Sequence, residues 1–158
     1  MTYGVTGDDH RMLDNYRDLI DELLGTPTAL RELATDHGGA LPTATRRLVA
    51  ELRDRDQAVL TRLQTMTRQT SPHLRSLAPA EAIVPDDPIA LLSEFDTARG
   101  ELVSLLMNLT IKDWQRMATD DAMGETSLAD EVERHVEFDE MMVGRLRQQL
   151  GDREPAGA

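Results

Sequence analysis

"LADEVERHVEFDEMMVGRLRQQL", residues 128–150, decides the fold. A helix advances about 100° per residue. At that period Leu128, Val132, Met142, Val143, Leu146 and Leu150 fall on one apolar face. Asp139 sits in the middle of the face, His135 lies beside it one turn earlier, and Phe138 is on the flank. The segment therefore reads as an amphipathic helix carrying charge where its core residues belong. Gly124 precedes it, Thr126 or Ser127 can cap it, and Gly151 ends it.

Three further helices follow from the same period. The first runs from Asp8 to Leu24 through Met12, Leu13, Tyr16, Leu19, Ile20 and Leu23. "GTP" at 25–27 is expected to interrupt it, with Thr26 and Pro27 opening a short continuation to Leu33. The second runs from Pro42 to Met66, with Leu48, Leu52, Val59 and Leu63 inward. The third spans 88–109, with Asp87 as N-cap and Pro88 as first residue. The connections at 68–88 and 110–124 are long and irregular. The expected architecture is all-α: one antiparallel four-helix bundle over 1–151, with long links between the second and third and the third and fourth helices. A flexible tail of 152–158 follows.

Composition agrees. Of 158 residues, 40% are hydrophobic and only 3% aromatic, while Leu, Ala, Glu, Arg and Met abound. A formal net charge of −12 repels phosphate backbones and anionic lipid, so neither nucleic acid nor a membrane surface is an expected partner. No Cys is present, which removes disulfides, thiolate zinc sites and a cysteine nucleophile. "MTYGVTGDDH" has no signal-peptide pattern, and no apolar run reaches membrane-spanning length; a soluble cytoplasmic protein is expected.

Charged residues intrude on three of the four apolar faces. Arg99 lies amid Leu92, Phe95, Leu102, Val103 and Leu106; Asp56 lies amid Leu52, Val59 and Leu63, with Glu51 on the shoulder. The first helix shows no intruder. An unpaired buried charge costs several kcal/mol, so Asp56, Arg99, His135 and Asp139 should gather into one buried polar cluster. Such a cluster either fixes helix register without chemistry or lines a ligand or metal pocket. A ferritin-like di-metal bundle is the runner-up fold. It needs two Glu-x-x-His motifs, whereas Glu131 and His135 are spaced by four with no second copy. His10, His37 and His73 read as surface or capping residues, and the pair Met141 and Met142 as core filling.

The run from Leu91 to Met142 resembles the second half of DinB/YfiT-like proteins. The marks are Phe95 and Arg99, then "LTIKDW" at 109–114, then Gly124, Ser127–Leu128 and Asp139. "LVAELRDRDQAVLTRL" and "LIDELLGTPTALREL" resemble that family's second and first helices. The resemblance implies a four-helix bundle, often dimeric. It implies a divalent metal on three histidines, one from the second helix and two from a His-Asp-x-x-His run in the fourth. Some members are thiol S-transferases or related isomerases. Carried onto this chain, the second-helix position is Glu51 and the run is Phe138-Asp139-Glu140-Met141-Met142. Phe cannot ligate, and a thioether is a poor ligand for zinc, nickel or manganese. The expectation is a degenerate metal site without cofactor, in a non-catalytic small-molecule-binding or interaction protein, with a homodimer as the assembly that the resemblance implies. The alternative is a divalent-metal-dependent (Zn, Ni or Mn) thiol transferase using a displaced site of Glu51, His135 and Asp139.

Overall fold

Apolar residues at helical spacing build four long helices. The computed structural model describes residues 7–77 and 83–151, so the expected tail at 152–158 lies outside the described residues. Helix α1 is Gly7–Asp36, α2 is Thr43–Arg68 and α3 is Pro88–Met107. A single turn, α4, covers Ile111–Trp114, and α5 covers Leu128–Gly151. No helix of the described residues is long and apolar enough to cross a membrane.

The expected break at Gly25–Pro27 does not occur. Helix α1 runs through Pro27, although a proline inside a helix typically costs about 3 kcal/mol. Thr26 and Pro27 are buried, and packing holds the helix together across them. The helix ends where Gly38 and Gly39 turn left-handed (φ 69° and 77°) and the Gly39 N–H reaches the Ala34 carbonyl at 2.8 Å. His37 lies between the carbonyls of Leu33 and Leu150, at 2.9 and 3.1 Å, and ties the ends of α1 and α5 together.

Caps sit where the sequence placed them. The Asp87 side chain accepts from the Ile89 N–H at 3.0 Å, with Pro88 at the first helical position. Asp87→Ala should therefore lower stability by about 1 kcal/mol. The shift of the urea midpoint checks this, and an unchanged midpoint would mean the cap contributes nothing. Ser127 and Asp130 exchange backbone and side-chain bonds at 3.0 Å and open α5.

The link after α3 is more ordered than expected. Thr110 and Asp113 form a capping box around α4. Strand β2 (Met117–Asp120) then pairs antiparallel with β3 (Gly124–Ser127), and β1 (His73–Leu74) joins β2 in parallel. Asp120 closes the hairpin by accepting the N–H groups of Ala122 and Met123 at 2.8 and 3.0 Å, and Gly124 supplies the positive φ of 76°.

Helices α1 and α2 each pack against both α3 and α5, so α1 and α2 lie on a diagonal. The core divides into two apolar layers. One joins Leu23, Val59, Leu63, Leu102, Leu106, Trp114, Leu128 and Val132, with Tyr16 stacked on Trp114 at 4.3 Å. The other joins Leu30, Leu48, Leu52, Leu91, Phe95, Met142 and Leu146. The first layer takes the leading part of α1 and α5 but the trailing part of α2 and α3. The bundle therefore runs up, down, down, up: α2 and α3 are parallel, and the other consecutive pairs are antiparallel. The end of α2 and the start of α3 therefore lie at opposite ends of the bundle, which explains the length of sequence between them.

Candidate functional site

One polar residue separates the two apolar layers on every long helix. On α2 Asp56 lies between Leu52 and Val59; on α3 Arg99 lies between Phe95 and Leu102. On α5 Asp139 lies between Val136 and Met142, and on α1 Thr26 lies between Leu23 and Leu30. The bundle thus encloses a polar layer. Asp56, Arg99, His135 and Asp139 are each no more than 3% exposed.

Arg99 is its centre. The guanidinium donates to Asp56 through Nε (2.7 Å) and NH2 (2.8 Å). It donates to Asp139 through NH1 (2.6 Å) and NH2 (2.8 Å). NH1 also reaches the Leu23 carbonyl at 2.7 Å. Pro27 explains that contact. Leu23 is four residues before it, and proline has no N–H to offer that carbonyl. Arg99 replaces the missing donor.

The remaining bonds complete the layer. Thr26 Oγ1 donates to Asp139 Oδ2 at 2.7 Å. His135 Nε2 lies 2.6 Å from Asp56 Oδ1, and an ionised carboxylate there requires Nε2 to carry the proton. The other ring nitrogen, Nδ1, is buried without a partner among the described residues. Burial pushes the Asp56 carboxyl up, but hydrogen bonds from His135 and Arg99, with their charge, outweigh it and hold the group below its usual range. For Arg99 burial acts downward, and the two aspartates more than reverse it.

A second network lies toward the hairpin and was not foreseen. Arg62 is only 7% exposed and grips Glu131 at 2.8 and 3.1 Å and Asp120 at 2.9 Å. Arg134 adds a bond to Glu131 at 2.9 Å. The signal was present: Val59, Arg62 and Met66 share one helical face.

No protein-family model and no curated protein matches the sequence. Among solved structures, "YfiT from Bacillus subtilis", described as a probable metal-dependent hydrolase with an unusual four-helix bundle topology, matches with a TM-score of 0.71. The match covers 96% of this chain and 93% of that one at 14% identity. The chain has the four-helix-bundle fold of YfiT. The resemblance read from Leu91 to Met142 therefore holds at the level of architecture.

Whether a DinB/YfiT-like metal suits these residues is decided by Arg99. Asp56, His135 and Asp139 each bring one ligand atom within 4.8 Å of the others, among the described residues. Glu51, expected beside His135 and Asp139, is not in this group; Asp56 takes its place. Both oxygens of both aspartates already accept from Arg99. A guanidinium does not lose its proton in proteins, so a divalent ion would face a fixed positive charge within its own ligand set. At the positions the family gives to histidine, Phe138 stacks near His135 with centroids 6.1 Å apart and carries the Arg55 guanidinium at 4.7 Å. Met142 is fully buried in the apolar layer. Neither place fits a metal.

Proposed function

We propose that this protein is a DinB/YfiT-like bundle that works without a metal, as a non-catalytic small-molecule-binding protein. One observation carries the reading: Arg99 occupies the carboxylates that could otherwise hold a cation. The internal ion pair then serves helix register and leaves ligand recognition to the cavities around it.

Elemental analysis of tag-free protein, followed by calorimetric titration with zinc and nickel, tests this. The expected result is far less than one metal per chain and no saturable binding. Stoichiometric tight binding, lost in His135→Ala, would overturn it and support the metal-dependent thiol transferase, with Arg99 displaced from Asp56 and Asp139.

A further inference from the structure

A cavity of about 190 Å³ opens between α2, α5 and the β2–β3 hairpin. Its charges do not cancel. Among the described residues, Arg55, Arg62 and Arg134 line it against Asp120 and Glu131 alone. Arg62 and Arg134 are engaged with those two carboxylates. Arg55 is left over: among the described residues it has no carboxylate partner, and its guanidinium rests on the Phe138 ring. Burial and the neighbouring Arg62 charge lower its pKa, with Glu131 acting weakly the other way. A half-buried guanidinium whose donors are unused among the described residues, in a chain of net charge −12, is a specific feature rather than part of a general basic surface.

We infer that this cavity binds a small monocarboxylate, held by Arg55. The inference rests on the metal-free reading and gives it a ligand class. A planar guanidinium matches a carboxylate through two parallel N–H bonds. The one excess positive charge among the described lining residues balances a monoanion and leaves a phosphate dianion uncompensated. Val59, Leu77 and Met123 supply an apolar wall for the ligand's body. A cavity of ~150 Å³ accepts benzene, so this one suits a single ring or a short branched chain. Phe138 stands where the family resemblance places a metal ligand, and here it supports the arginine that would hold the anion.

Calorimetric titration with benzoate, at constant ionic strength on chelator-treated full-length protein, tests the proposal. Benzoate should bind one per chain, with neutral benzamide and inorganic phosphate at least tenfold weaker. Arg55→Met should lose at least tenfold in affinity and Arg55→Lys less, with circular dichroism showing both folded. No binding at 10 mM benzoate, with or without added zinc, would sink the carboxylate site while leaving the metal-free reading intact. Equal affinity for benzamide, or full affinity in Arg55→Met, would also overturn it. Binding that appears only with zinc would overturn both readings together.

Discussion

Arg99→Met should lower stability by about 3–5 kcal/mol, because it leaves Asp56 and Asp139 as uncompensated buried charges. The guanidinium makes five bonds inside the bundle, four to carboxylates and one to a carbonyl. In a domain of this size that loss lowers the melting temperature by roughly 10 °C or more. Thermal unfolding followed by circular dichroism measures it. An unchanged melting temperature would mean that the buried network is not formed.

Removing the charges together should cost much less. The triple change Arg99→Met, Asp56→Leu, Asp139→Leu replaces the ion pair with apolar volume, which is often neutral or stabilising. Recovery should nevertheless be incomplete. His135 Nε2, Thr26 Oγ1 and the Leu23 carbonyl would all lose their partners. The last of these can be isolated. Pro27→Ala supplies the N–H that Leu23 lacks, so its benefit should be larger, by about 1 kcal/mol, in the Arg99→Met background than in the wild type. Equal effects in the two backgrounds would show that Arg99 does not substitute for the missing helical donor.

The same contacts show what could be read from the sequence. Asp56, Arg99 and Asp139 were legible because a charge at the centre of an apolar helical face must find a partner. Thr26 was not. A Thr-Pro pair is the usual start of a helix, and that local preference hid a hydroxyl pointing into the core from the middle of α1. A carbonyl freed by proline leaves no mark of its own. The hairpin was hidden differently: its strands are four residues each, too short for alternation to outweigh an all-α composition. The parallel arrangement of α2 and α3 could not be read from helix periods, which give faces but not directions. Among the described residues the carboxylate whose oxygen converges with His135 and Asp139 is Asp56, at the centre of its face, and not Glu51 on the shoulder.

Acid should unfold this protein through these same networks. Asp56, Glu131 and Asp120 are buried carboxyls, and in each the upward push of burial is outweighed. Arg99 and His135 do this for Asp56; Arg62 and Arg134 do it for Glu131; the Ala122 N–H, Arg62 and the Met123 N–H do it for Asp120. Their folded pKa values therefore lie below the unfolded values of about 3.9 for Asp and 4.3 for Glu. The sign follows from linkage. Such groups stabilise the fold above the unfolded pKa, and the stabilisation is lost as pH falls through the folded pKa. Melting temperature should thus be insensitive to these groups from neutral pH to about pH 5, then fall steeply below about pH 4. Each proton taken up on unfolding adds about 1.4 kcal/mol per pH unit, so three carboxyls can together add at most about 4 kcal/mol per pH unit. Melting curves from pH 7 to pH 2 measure it, and a flat profile to pH 2.5 would contradict the depressed carboxyls. The two networks separate by mutation. Arg99→Met removes one of the two partners that depress Asp56 and leaves His135, and Arg62→Met removes one of the two that depress Glu131 and leaves Arg134. Each variant should start less stable at pH 7 and lose less on acidification, because a carboxyl without its arginine has less stabilisation to give up.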